Sequence, residues 1–173
     1  MTWDILKAAV LLFVAVLLQV SVLDAYHPFG GGADIVLVVL LSIALLRGSI
    51  FGAVCGFAAG LLVDTANLDT LGFTSLLLTV AGFWIGRYGE TTARDRFHAP
   101  YLSVAVVTAL YTVCALALRF VLGDPAPAGA VLAGLPVEIV LNLILTWPVY
   151  GLARRIFPPP ALTDRIHEVT LLA

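Results

Sequence analysis

Six apolar runs follow one another along this chain, at residues 5–23, 33–47, 49–64, 71–88, 101–122 and 130–153, joined by short polar segments. A helix needs roughly 20 apolar residues, within about 17–25, to cross the hydrocarbon core of a bilayer. Composition closes the alternatives. Only 12% of the residues are Asp, Glu, Lys or Arg, and 61% are hydrophobic. Ordinary soluble domains carry about 25% charge. A chain of 173 residues buries a core, but its surface cannot be this apolar in water. A soluble globular domain, a disordered chain and a nucleic-acid binder are therefore excluded. The net charge of −2 offers no polybasic patch for anionic partners.

The expected architecture is an all-α, six-transmembrane-helix bundle over residues 1–157, with a tail at 158–173. Runs two and three are the shortest, and a re-entrant hairpin is the alternative for this pair. The placement of basic residues tests the count independently. Lys7, Arg47, Arg87, Arg94, Arg96, Arg154, Arg155 and Arg165 all fall on one side of the alternation, and Arg119 alone falls on the other. Both termini are expected in the cytoplasm of a bacterial inner (plasma) membrane. Run one exceeds the usual 7–15 apolar residues of a signal peptide, so a retained anchor is expected. The tail opens on Pro158-Pro159-Pro160, which stops the last helix, and residues 163–172 fit a short amphipathic helix.

Gly48, Gly52, Gly56 and Gly60 recur at spacing four, and Gly82 and Gly86 repeat the spacing on run four. Such stripes let two backbones approach closely in lipid. They serve either packing inside the bundle or docking of another protein's membrane helix. Glu138 is the one acid deep inside an expected crossing, Asn142 shares its face at i+4, and Arg119 sits near the outer end of run five. Ionisable groups inside a membrane are costly and are usually paired. A buried Arg119–Glu138 pair supported by Asn142 is expected, bracing helices five and six. Asp64, Asn67, Asp69 and Thr70 form an outer loop, in which Asp69 or Thr70 is expected to N-cap helix four. Asp34 is the matching acid at the start of helix two. Cys55 and Cys114 lie in apolar runs and are read as packing residues. The three histidines, His27, His98 and His167, lie outside the spans, and no catalytic or metal motif occurs. An enzyme is not expected, and no cofactor or metal is called for.

The middle of the chain carries a family likeness. Ala33-Asp34-Ile35-Val36-Leu37 opens helix two. Arg47-Gly48 and Gly52 lead into Gly56-Phe57-Ala58-Ala59-Gly60-Leu61-Leu62-Val63-Asp64, followed by Leu71-Gly72, Gly82-Phe83 and Gly86. This succession resembles the MreD family of rod shape-determining membrane proteins. Its most specific part is the G-F-x-x-G-L-x-x-D stretch followed by L-G. The likeness of residues covers 33–86, while length and hydropathy agree throughout. The proline often found before the helix-two aspartate is Ala33 here.

The resemblance implies a non-enzymatic part of the bacterial cell-elongation machinery, supporting peptidoglycan synthesis. It implies association with an MreC-like bitopic protein, linking MreB filaments to RodA and its transpeptidase. The family is also similar in fold to the S components of energy-coupling-factor transporters, which implies a cavity open to the outside. A small-molecule-binding transporter subunit is the alternative function. Helix one lacks the A-x-x-x-A face that such subunits show. A proton-coupled carrier would rest on Glu138 alone.

Overall fold

The structure, a computed structural model, describes residues 2–23, 32–68, 70–93, 98–123 and 127–158. The described residues form six helices. Helix α1 is Thr2–Leu18, continued by a π-helical turn at Gln19–Leu23. Helices α2 (Ile35–Arg47) and α3 (Ser49–Asn67) follow. Helix α4 is Phe73–Tyr88, continued by a second π-helical turn at Gly89–Ala93. Helices α5 (Ala99–Leu122) and α6 (Ala128–Ile156) complete the set. Pro136 and Pro148 lie inside α6, which continues through both, as membrane helices tolerate. The expected tail helix and Asp69 lie outside the described residues.

Helix α2 explains the arrangement. Its residues are apolar on every face, apart from Ser42 and the terminal Arg47, and every position from Val36 to Leu46 is buried. A helix hydrophobic all round belongs in a core. The other five helices all pack on it. Its 13 residues rise about 20 Å, too little to cross the bilayer on their own. Helix α4, with 16 residues, is also short by itself. Four segments are long and apolar enough to cross a membrane: Trp3–Ser21, Ser49–Asn67, Ala99–Leu122 and Ala128–Ile156. Six helices are thus present, but spanning length belongs to four of them.

The exterior is apolar. Trp3, Ile50, Trp84, Phe120, Val121 and Trp147 are all at least 66% exposed. That is the surface of a protein solvated by lipid chains rather than water.

The bundle has two distinct ends. At one, Arg47 closes α2, and its guanidinium pairs with Asp4 of α1 at 3.0 Å. The same guanidinium lies 5.4 Å from the ring of Phe157, the buried residue that follows α6. Helix α2 passes into α3 through Gly48 alone, with φ of +96° and an extended ψ. That corner of the Ramachandran map is open to glycine almost exclusively. We call this the Glu90 end and its opposite the Asp64 end.

Candidate functional site

The closest contact in the molecule is between α3 and α4, and the glycine stripe makes it. A Cβ on Gly52 would sit 2.5 Å from the carbonyl oxygen of Gly82, and one on Gly86 would sit 2.5 Å from the carbonyl of Gly48. Cβ atoms on Gly56 and Gly60 would strike the backbone of Leu78 and of Ser75. Backbone lies against backbone along the whole stripe, so no side chain fits between. The hydroxyl of Ser75 adds a bond across the seam, donating to the carbonyl of Phe57 at 2.9 Å. Of the two readings of this face, packing within the chain describes the structure. The stripe is closed by α4 and is not open to a partner helix.

Each end of this hairpin is capped by an acid from the other helix. Asp64, on the last turn of α3, is fully buried. Its carboxylate accepts from the N–H of Gly72 at 2.8 Å and of Thr74 at 3.1 Å, the orphan donors at the start of α4. At the other end Glu90, just after α4, accepts from the N–H of Ser49 at 2.8 Å and its hydroxyl at 3.0 Å. That is the first turn of α3. The negative charges also meet the positive ends of two helix dipoles. These caps correct the expectation for helix four. Its N-cap position is Gly72, which has no side chain to offer, so Asp64 supplies the oxygen from eight residues earlier. Thr70 makes no such cap. Asn67 ends α3 as an exposed residue.

A second polar group ties α2 to its neighbours. Asp34 caps α2, its carboxylate accepting from Leu37 N–H at 2.8 Å, as expected of that acid. Gln19, in the π-helical turn after α1, accepts from Val36 N–H at 3.0 Å. Asn142, fully buried in the middle of α6, accepts from Asp34 N–H at 2.8 Å and donates to the Thr108 hydroxyl of α5 at 3.1 Å. One amide therefore joins α2, α5 and α6. The first turn of a helix has free N–H groups, and here two side chains from other helices satisfy them.

The expected Arg119–Glu138 pair does not form. Glu138 faces Thr112, whose hydroxyl lies 3.4 Å from the carboxylate. Arg119 lies with its guanidinium 5.7 Å from the ring of Phe73 on α4. Thr112 and Arg119 are seven residues apart, about 10 Å along α5, so the two charges face different neighbours. Of the expected brace, Asn142 joins the helices, and Arg119 belongs elsewhere.

Arg119 belongs to a cavity of about 420 Å³ at the Asp64 end. Gln19, Asn67, Thr70, Thr74 and Tyr111 share its wall. Beside it, on the lipid-facing side of α4 and α5, runs an apolar groove of about 590 Å³ lined by Leu76, Val80, Leu110, Cys114 and Leu118 among others. Tyr111 lines both. Cys114 is thus an exposed groove residue, whereas Cys55 is buried. Among the described residues, no group of three His, Cys, Asp or Glu could hold a metal.

The cross-helix caps could not be found from local sequence signals. A cap is sought within a few residues of the helix it serves, and Glu90 lies 41 positions from Ser49. The signal that did exist was the alternation of small residues on two consecutive runs, which foretells a close antiparallel pair.

A family model described as rod shape-determining protein MreD matches residues 4–156, nearly the whole chain. No curated protein and no solved structure matches it.

Proposed function

The chain belongs to the MreD family of rod shape-determining proteins, and on that premise we propose that it is a non-enzymatic scaffold of the cell-elongation machinery in the bacterial inner membrane. In this reading it crosses the membrane six times with both termini in the cytoplasm. It holds an MreC-like bitopic protein, and through it the assembly of MreB, RodA and its transpeptidase that carries out peptidoglycan synthesis. The family match carries the reading. The structure supports it in two respects. The described residues are almost all helical and expose large apolar side chains, so the surface available for contacts lies mostly in the membrane. The hairpin α3–α4 is stiffened by contact of backbone with backbone, which suits a part that must hold a shape.

Partner contacts are assigned away from the glycine stripe, to the exposed end of α3 from residue 65 and the turn that follows it, the segment at 87–100 and the exposed faces of α5 and α6. The polar cavity at the Asp64 end favours the second reading, an S-component-like subunit that binds a small molecule. The test is depletion of the protein in the bacterium that makes it. Loss of rod shape, restored by re-expression of this chain, is the expected outcome. Cells that remain rods with unchanged width would overturn the scaffold reading.

A further inference from the structure

We propose that the Arg119 cavity and the apolar groove beside it form one binding site for a lipid with a phosphate-bearing, anionic head. The head would sit on Arg119 and the chain would lie between α4 and α5. Among the described residues, Arg119 is the one charged side chain lining the cavity. Among the described residues no carboxylate pairs with it, and its guanidinium rests over the face of Phe73. That contact leaves the in-plane N–H fork open, and the fork matches two phosphate oxygens.

Among the described residues the rest of the wall is neutral, and part of it is able to donate. Gln19 uses its amide oxygen on Val36, which leaves its NH₂ free for the cavity. Asn67, Thr70, Thr74 and Tyr111 add further amide or hydroxyl groups. Asp64, the nearest buried acid in α3, is occupied by the N–H groups of Gly72 and Thr74. Among the described residues of the wall, the charge that a bound group meets is therefore that of Arg119. The site also stands at the right depth, since Arg119 lies in the last turn of α5, where a helix leaves the hydrocarbon and meets headgroups.

The groove decides between a soluble anion and a lipid. It follows α4 from Leu76 to Trp84, about 12 Å, and α5 from Val107 to Val121, with an almost wholly apolar lining. A free phosphate would leave it unused. A partner's transmembrane helix would fill the groove and leave Arg119 without an anion. A phospholipid uses both halves, with Tyr111 at their junction.

The test uses the full chain in mild detergent, with lipid retention read by native mass spectrometry. Phosphatidylglycerol and phosphatidylcholine are supplied in equal amounts. Wild type should retain phosphatidylglycerol about tenfold over phosphatidylcholine, a ratio that one charge-assisted contact can produce. Arg119→Gln should bring that ratio near one. Ala117→Trp, which fills the groove and leaves the cavity intact, should weaken retention of both lipids. If Arg119→Gln does not fold, Arg119→Lys together with Ala117→Trp carries the same test. The proposal is overturned by equal retention of the two lipids by wild type, or by an unchanged ratio in Arg119→Gln. It is likewise overturned if millimolar inorganic phosphate displaces the lipid, which marks a soluble-anion site, or if Ala117→Trp leaves retention untouched.

Discussion

Asp64 does the work of an N-cap for a helix it does not belong to. Removing its carboxylate leaves the buried N–H of Thr74 and the half-buried N–H of Gly72 without that acceptor. Asp64→Ala should cost about 1–3 kcal/mol, seen as a lower thermal midpoint in detergent, whereas Asp64→Asn keeps one acceptor and loses less. Asn67→Ala, at an exposed helix end, should stay within about 0.5 kcal/mol. Arg119 and Glu138 make the opposite case. They face Phe73 and Thr112 rather than each other. Their substitutions to glutamine should therefore add within about 0.3–0.5 kcal/mol in a double-mutant cycle. A coupling well above 1 kcal/mol would restore the ion pair that the sequence suggests.

At the scale of elements, the α3–α4 seam is the most constrained contact. Gly56→Ala must push a methyl into the backbone of Leu78, which should cost about 1–3 kcal/mol as overpacking, and Gly56→Leu should prevent the hairpin from closing. Gly151→Ala, in α6 with open space around it, should be neutral or stabilise by up to about 1 kcal/mol. Thermal unfolding of the three variants in one detergent separates close approach from simple glycine loss. The stripe was readable in advance from its spacing, but its partner was not: Gly48 and Gly52 meet Gly86 and Gly82, whereas Gly56 and Gly60 meet the backbone of Leu78 and Ser75. The number of helices was also legible, since apolar runs end where polar residues begin. The caps were not. Glu90 and Asp64 act across a tertiary contact, and their sequence neighbours give no hint of it. Nor did hydropathy show that α2 is central, since a lipid-facing helix and a core helix are equally apolar. Asn142 was recognised as a brace, but its bond to Asp34 depends on where α2 begins within the bundle, which spacing along α6 cannot show.

For the whole molecule, the bundle is organised around a buried, short α2, with charge concentrated at the Glu90 end. Arg47, Arg87, Arg154 and Arg155 are all in the last turns of helices there. If the chain crosses six times with both termini inside, as proposed, reporters fused after residues 97 and 158 should report cytoplasm, and reporters after 69 and 125 the outer side. Cytoplasmic activity at 69 would mean that α2 and α3 together cross an odd number of times, which contradicts six crossings. The scaffold reading makes a further demand, because the described residues are almost all helical and expose large apolar side chains, so partner contacts fall mostly within the membrane. Co-expression with a tagged MreC-like bitopic protein from the same bacterium, followed by purification through the tag, tests this most directly. Near one-to-one recovery of the folded chain, undiminished in Gly151→Ala, is the predicted result. Recovery of the bitopic protein alone, while the chain runs folded and monodisperse by itself, would contradict it.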